Sequence, residues 1–348
     1  MLAAWFVVGL LSGCGDTATI PESGFSFRLQ QPPALSVNTR GILNTVPINN
    51  VWVLQYKSDN ATEPLKTYYF SSVGEALDNG TIELSTSSAA FSQVTSRFYV
   101  IANVGEKALT GFDGSESDLL GKTVTCTLND QPSLLTAGPI QYTPKEGETG
   151  VIPIIAPLQR AYATIELSWT TKDFVGASMA INSVEIANVP KSMALYARGG
   201  GDLATKYPEA SETYIDPTVK SVGTGELAAN GERKFYMGEN LRGMGTATSL
   251  ADKNVKEYGP GKTLDYCTYI QLNGSYTYAG ATAPIGVSYK LYLGINLMND
   301  YNIRRGYLYK LTVNISGANS ADVRVSITDG NVIMFDEVEL VPNEVTFR

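Results

Sequence analysis

The stretch ATIELSW, residues 163–169, alternates strictly between apolar and polar side chains. Its odd-numbered positions carry Ala, Ile, Leu and Trp, whereas its even-numbered positions carry Thr, Glu and Ser. A strand points successive side chains to opposite faces of its sheet, so a period of two predicts a strand with one face on a core. The fold of the whole chain follows from how often this pattern returns.

The same alternation occurs towards both ends of the chain. Phe25, Phe27 and Leu29 alternate with polar residues near the N-terminus, and residues 309–315 repeat the pattern near the C-terminus. The continuous apolar runs at 51–56 and 97–103 are typical of strands that are covered on both faces. We therefore expect half-buried antiparallel sheets in each half of the chain.

Composition supports an all-β chain of two domains. Twenty Tyr and 33 Gly among 348 residues favour strands and turns over helices. The helix signals are short: Ser115 with Asp118, and Ser72 with Glu75, have the spacing of a capping box that opens one or two turns. A chain of this length exceeds one ordinary hydrophobic core.

A polar, glycine-containing stretch, TPKEGETG at residues 143–150, indicates a domain junction near residue 157. The predicted domains are residues 15–157 and 158–348. Residues from about 197 to 285 are polar, rich in Gly and Tyr and poor in apolar runs, and we expect them to contain large loops that decorate the second domain. The tetrapeptide IANV occurs twice, at 101–104 and 186–189, and is weak evidence for a domain repeat.

The charge and the absence of histidine limit the chemistry. The chain has no His, which excludes Ser-His-Asp and Cys-His catalysis and His-ligated metals. A net charge of −8 without a Lys/Arg cluster argues against nucleic acid as a partner. We expect no enzyme activity, no cofactor and no metal site. Arg304 and Arg305 could bind an anion, but they flank a predicted strand, and we expect a solvated turn there.

The N-terminal stretch MLAAWFVVGLLSG, residues 1–13, is too short to span a bilayer as a helix but has the length of a signal-peptide core. Residues 11–14, LSGC, resemble the lipobox of bacterial lipoproteins, whose cysteine is lipid-modified after the signal is cut. The resemblance implies a signal peptide at residues 1–14 and lipidation at Cys14. The alternative is a cysteine that occurs in a signal peptide by chance.

The other two cysteines, Cys126 and Cys267, fall in different predicted domains. An exported protein could pair them in a disulfide. We favour two unpaired, buried thiols.

Several segments together resemble the fimbrillin-like lipoproteins of Bacteroidales, the subunits of type V pili. In the first half they are the lipobox, the alternating strand at 25–30, VPINNVWVLQY and FYVIANV. In the second half they are PLQRAYATIELSW, VEIANVP, KFYMGENLRG and LYLGINLMNDYNIRRGYLYKLTVNISG. These segments span nearly the whole chain. The resemblance implies two transthyretin-like β-sandwich domains with Greek-key-type antiparallel sheets, carried to the outer membrane by a lipid anchor.

In polymerising members of that family, an Arg-specific protease removes the first strand and another subunit donates a strand to the groove that is opened. Carried onto this chain, the removable strand holds Phe25, Phe27 and Leu29, and the cut falls between Arg40 and Gly41. Arg28 is a rival site inside the alternating pattern. In the plainer interpretation, Arg40 is an ordinary solvated loop residue and the strand stays in place.

A candidate donor strand lies at the C-terminus, where Val345 and Phe347 alternate with polar residues. A donor needs apolar side chains at every second position to fill successive pockets. The same residues also fit a last strand of the protein's own second sandwich, as do residues 332–341.

The predicted function is therefore a structural and adhesive fimbrial subunit at the outer membrane or cell surface. Its partners would be other pilus subunits, an Arg-specific protease and, before maturation, the membrane through the lipid anchor. The alternative is a surface lipoprotein that binds a glycan or a host protein without polymerising. Aromatic faces for sugar rings would then come from residues of the Tyr-rich stretch, namely Tyr266, Tyr269, Tyr276 and Tyr278.

Overall fold

The structure is a computed structural model. It describes the chain from residue 24 to residue 347 except for residues 33–45, 75–80, 88–89, 127, 129, 172–174, 198–206, 209–213, 216–230, 250–251, 254–263, 265, 318–319, 329–332 and 341–343. For residues 87, 214–215 and 316–347 it describes the backbone alone where it describes them.

The described part of the chain is almost entirely β, as the alternating patterns predicted. The strands of the first half are β1 (Gly24–Gln30), β2 (Val51–Lys57), β3 (Lys66–Phe70), β4 (Thr81–Ser87), β5 (Ser96–Ala102), β6 (Thr123–Thr125), β7 (Leu135–Tyr142), β8 (Val151–Pro157) and β9 (Gln159–Arg160). A 3-10 turn at Glu106–Ala108 and the helix α1 (Glu116–Gly121) lie between β5 and β6.

The strands of the second half continue the numbering. They are β10 (Ala163–Thr171), β11 (Ser178–Ala187), β12 (Val189–Pro190), β13 (Ser192–Ala194), β14 (Tyr214–Ile215), β15 (Gly231–Met237), β16 (Tyr269–Thr277), β17 (Ile285–Tyr292), β18 (Leu308–Gly317), β19 (Ser320–Thr328), β20 (Ile333–Leu340) and β21 (Glu344–Phe347). No helix among the described residues has the length and apolar character needed to cross a bilayer.

Two sheets pack face to face in the first half. One has the strand order β4-β1-β8, and the other has the order β3-β2-β5-β7-β9. The inner faces of both sheets contribute to one cluster of buried side chains, which includes Phe25, Phe27, Phe98 and Ile154. This arrangement is a β-sandwich.

The second half repeats this construction with longer strands. Its sheets have the orders β15-β10-β18-β19-β20 and β11-β16-β17-β21. They enclose a second cluster, in which Ile165, Leu167 and Trp169 of β10 are almost completely buried. The odd-numbered side chains of residues 163–169 face this core, as predicted.

The two sandwiches share a topology. Each begins with a strand that pairs antiparallel with one neighbour and parallel with the other: β1 with β4 and β8, and β10 with β15 and β18. The IANV echo is not the trace of this repeat, because it lies at the ends of β5 and β11, which occupy different places in their sheets. Its asparagines, Asn103 and Asn188, have left-handed backbone φ of 66° and 56°, which Asn tolerates better than most residues.

Residues 197–285, expected to contain large loops, also include the core strands β15 and β16, which the sequence did not indicate. One prediction about the second half was wrong. The predicted solvated turn at Arg304–Arg305 instead holds a buried arginine: Arg305 is 8% exposed and forms an ion pair of 3.2 Å with the buried Glu239. Cys126 and Cys267 are both buried and are not joined in a disulfide, as expected.

Arg305 also joins the two halves through the strap, a name we give to residues 192–196. The Arg305 guanidinium donates to the carbonyls of Ala194 and Leu195 at 2.8 and 2.9 Å. Tyr196 then packs edge-on against Tyr99 and donates its hydroxyl hydrogen to the carbonyl of Val100 in the first sandwich. β13 of the strap also pairs with β6. Residues of both sandwiches therefore bind the strap.

The predicted capping box at Ser115 and Asp118 is present, and it opens α1. Glu116 in the first turn binds Arg97 of β5 through two hydrogen bonds of 2.6 Å and also accepts a hydrogen bond from the hydroxyl of Tyr99. These contacts fasten α1 to the outer face of the sheet. The bonds from Arg97 and then from Tyr99 hold the pKa of Glu116 below its ordinary value of 4.5, although burial opposes this.

Acid should therefore weaken the protein through Glu116. Its pKa is lower in the folded than in the unfolded chain, so the unfolded chain binds more protons as the pH falls below about 4.5. The stabilisation present above that pH is lost as the pH falls through the folded-state pKa. We expect chemical denaturation between pH 5 and pH 3 to show a smaller loss of unfolding free energy in Arg97→Gln than in the wild type. Arg28→Gln, which removes an exposed arginine 4.0 Å from Glu83, is the control and should keep the wild-type slope.

Candidate functional site

The candidate site is the place of β1 in its sheet. β1 lies between β4 and β8 and pairs with each of them over seven residues. Among the strands that the structure describes, it alone connects these two. Without β1, the backbone groups that β4 and β8 now direct at it would lose their partners.

The inward side chains of β1 stand in rows with their neighbours. Phe27 lies opposite Leu84 of β4 and Ile154 of β8, and the rows on either side are centred on Phe25 and Leu29. All three β1 side chains are 0% exposed. The strand therefore fills three successive apolar pockets.

The floor of these pockets is aromatic. Phe98 of the facing sheet lies 5.3 Å from the rings of both Phe25 and Phe27, in edge-on geometry. Phe91 contacts both rings as well, and Tyr142 lies 5.2 Å from Phe25. Edge-on pairs of this kind contribute about 0.5–1.5 kcal/mol each beyond the area they bury. We call the space that β1 fills, with this floor and with β4 and β8 as walls, the β1 groove.

The groove carries no charge among the described residues that line its core side. Two hydroxyl groups reach the groove: that of Thr86, opposite Phe25, donates to the Phe25 carbonyl at 3.4 Å, and that of Tyr142 donates to the Glu148 carboxylate at 3.0 Å. Burial and then Glu148 raise the pKa of Tyr142 to about 12, so the phenol is neutral. An occupant of the groove must therefore present apolar side chains at alternate positions.

The outer face of β1 is polar. Arg28 is exposed and lies 4.0 Å from Glu83, which also accepts a hydrogen bond from the Ser26 hydroxyl. The backbone of Arg28, however, lies inside a central strand with a paired strand on each side. A protease needs an extended, accessible segment, and Arg28 does not offer one while β1 is in place.

Chain order makes β1 separable. A single cut in the connection between β1 and β2 separates β1 from all the other strands that the structure describes. The equivalent strand of the second sandwich, β10, lies between β9 and β11, so two cuts would be needed to release it. The other predicted processing residues, Arg40 and Gly41, fall in that β1–β2 connection but lie outside the described residues, as does Cys14.

The predicted donor residues, Val345 and Phe347, lie in β21. β21 pairs antiparallel with β17 over four residues, with Val345 opposite Val287 and Phe347 opposite Ile285. Of the segment at 332–341, the described part forms β20 (Ile333–Leu340), at the edge of the other sheet. In the isolated chain both segments thus complete the second sandwich.

The tyrosines considered for sugar binding do not form one platform. Tyr269 packs against Tyr292 and lies under the Lys290 ammonium, whereas Tyr276 packs against Tyr278. The two groups lie at opposite ends of β16, about 23 Å apart at the usual rise of a strand. Of the four, Tyr278 is the most exposed at 45%, and Tyr276 is buried.

The chain is similar to known proteins in part of its sequence and in its fold. A family model described as a domain of unknown function (DUF4906) matches residues 235–313, which include β16 and β17. No curated protein matches.

Solved structures match over most of the chain. A proposed cell adhesion protein from Bacteroides eggerthii is 14% identical with a TM-score of 0.50, and the match covers 92% of this chain and 97% of that chain. One from Parabacteroides distasonis is 13% identical with a TM-score of 0.51, covering 93% and 98%. A fimbrilin from Porphyromonas gingivalis is 13% identical with a TM-score of 0.47, covering 85% and 91%.

The first two likenesses show the fold. This chain shares the all-β fold of proteins from two Bacteroidales species, which is the group of bacteria that the resemblance indicated. The strand β1 was predicted from the sequence, because its alternation is visible locally, whereas its removal stays a prediction. The aromatic floor was not found, because Phe91, Phe98 and Tyr142 meet β1 only in the folded chain.

Proposed function

We propose that this protein is a structural and adhesive subunit of a cell-surface fimbria, and that subunits join by strand exchange at the β1 groove after Arg-specific cleavage. One observation carries the proposal: β1 fills an apolar groove between two strands, yet a single cut after it separates it from the other described strands. Replacement of β1 by a strand of another subunit would restore both ladders and refill the pockets. The fold, shared with proteins assigned to cell adhesion, supports this role.

The cut is proposed between Arg40 and Gly41, and export as a lipoprotein anchored through Cys14 brings the subunit to the outer membrane. The partners are then other pilus subunits and the protease. We also propose that the boundary between the two domains lies near residue 157 and that both sandwiches are transthyretin-like.

Limited digestion with an Arg-specific protease tests the cut. Protein that lacks residues 1–14 should be cleaved after Arg40 and then form a ladder of multimers on a gel run without boiling. Mass spectrometry identifies the cut site. Arg40→Lys should abolish both cleavage and ladder, while the matched variant Arg28→Lys should keep both. A monomer that resists the protease, or a ladder that forms equally in Arg40→Lys, would show that this cut does not drive assembly.

We further propose that β21 is the segment that is donated. It is held by four residue pairs, whereas β1 is held by seven on each side, so β21 leaves its sheet at a much lower cost. Deleting residues 344–348 should abolish the ladder after cleavage while the monomer keeps its circular dichroism spectrum. If β21 serves only its own sandwich, the deletion will lower the unfolding temperature and leave the ladder intact.

A further inference from the structure

The free edge of β8 is a second feature of the β4-β1-β8 sheet that could interact with another chain. Among the described strands, β8 pairs with β1 on one side and with no strand on the other. An unpaired edge presents a row of N–H and C=O groups to which another chain can add. Which groups face outward follows from the hydrogen bonds at the two ends of β8.

The backbone N–H and C=O groups of the even-numbered residues in this segment point towards β1. The carbonyl of Gly150, just before β8, accepts a hydrogen bond from the Gly24 N–H, and the N–H of Leu158, just after β8, donates to the Gln30 carbonyl. The pairing between these points has no break in register. Because the backbone groups of a strand alternate in direction, the groups of Val151, Pro153, Ile155 and Pro157 point to the free edge.

Two of these four positions are proline. A strand that added to this edge would find N–H donors only at Val151 and Ile155, because Pro153 and Pro157 have none. The partner's carbonyls opposite the prolines would lose their bonds to water without gaining new ones. Prolines are tolerated in sheets mainly at such edges.

The side chains show why this edge needs protection. The same four residues direct apolar side chains to the outer face, and Ile155 is 54% exposed. A long apolar edge strand is otherwise an aggregation site. The opposite edge of the sheet, β4, has no proline and instead carries the exposed polar residues Glu83 and Ser85.

We propose that Pro153 and Pro157 close the edge of β8 to strand addition by a second copy of this chain. Two copies would otherwise meet edge to edge at β8, antiparallel and in two-fold symmetry, and bury their Ile155 side chains together. The two prolines then prevent uncontrolled addition of strands at β8, whether or not strands exchange at the β1 groove. The closed edge is a property of the uncleaved chain and does not depend on the proposed function.

The test uses uncleaved protein that lacks residues 1–14 and carries Pro153→Val and Pro157→Val. Size-exclusion chromatography with light scattering should show a monomer for the wild type, and for the double variant a dimer and larger species at protein concentrations at least tenfold lower than any at which the wild type associates. Adding Ile155→Lys to the double variant should restore the monomer, since a charge on the same edge opposes pairing.

Two controls keep the outcome clear. Pro144→Val removes a proline from the connection between β7 and β8 and should leave the protein a monomer, which separates edge pairing from the loss of a proline as such. Single Pro153→Val restores one donor and serves if the double variant does not fold. The proposal is overturned if the folded double or single variant stays a monomer at every concentration, or if Ile155→Lys does not reverse the association.

Discussion

A chain that begins at Gly41 will not form a stable N-terminal sandwich, and a peptide of residues 22–31 added in trans will restore it. Without β1, three side chains that are now fully buried no longer fill the core, and the strands β4 and β8 lose their common partner. Each such side chain contributes about 1.5–3 kcal/mol on burial. Three of them together approach the whole stability of a typical domain, which is about 5–15 kcal/mol.

The measurement compares the shortened chain alone with the shortened chain plus peptide. Alone, it should bind the dye ANS and elute as aggregates. With peptide, it should elute as a monomer of the shortened chain plus one peptide and lose its dye binding. A peptide with Phe27→Asp should fail, because a charge would enter an uncharged groove, whereas a peptide with Arg28→Gln should succeed, because position 28 faces outward.

In the intact chain, Phe27→Ala should lower the free energy of unfolding by about 3–5 kcal/mol, since it leaves a cavity among Phe91, Phe98 and Leu84. A shortened chain that is a folded monomer without peptide, with the unfolding temperature of the full chain, would show that β1 is dispensable. The proposed mechanism of assembly would then lose its physical basis.

The sequence predicted those strands that alternate in an obvious way. β1 and β10 begin or end within about two residues of the predicted segments, because each has three or four large apolar side chains on one face. β16 was missed although it alternates too. Its inward positions include Gly274, and its polar positions make the whole segment look like a loop.

Gly274 is required at that place for a reason invisible in the sequence. A β-carbon there would press against the carbonyl oxygen of Ala180 on the neighbouring strand, next to an irregularity in the pairing of β11 with β16. Because two backbones approach closely here, the position holds glycine and lacks the apolar side chain that would have indicated a strand.

Arg305 was mispredicted for a similar reason. Its partners, Glu239 and the carbonyls of Ala194 and Leu195, are 66 to 111 positions away along the chain, and a charged pair near a turn looks solvated in sequence. Only the folded chain brings these groups together and buries them. Local periodicity therefore predicted the candidate site but not the junction between the two halves.

The junction supports the second large prediction: Arg305→Ala should cost about 3–5 kcal/mol of unfolding free energy. The substitution leaves the Glu239 carboxylate buried without its cation and removes both donors to the strap carbonyls. Because the strap anchors Tyr196 in the first sandwich, we also expect the unfolding transition to split into two. Arg304→Ala, at the neighbouring position, whose side chain is only half-buried, is the control and should stay near the wild type.

The double variant Glu239→Leu with Arg305→Met distinguishes two causes of the loss in stability. One is the unpaired Glu239 charge, and the other is the loss of the hydrogen bonds from Arg305 to the strap. Replacing both partners of a buried ion pair by apolar residues is often neutral, so most of the loss in unfolding free energy should be recovered if the stranded carboxylate causes it. If the donors to the strap matter more, the double variant will stay destabilised and keep two transitions. Denaturant unfolding followed by circular dichroism measures both quantities. A single, unshifted transition in Arg305→Ala would mean that the strap holds the two sandwiches together without this arginine.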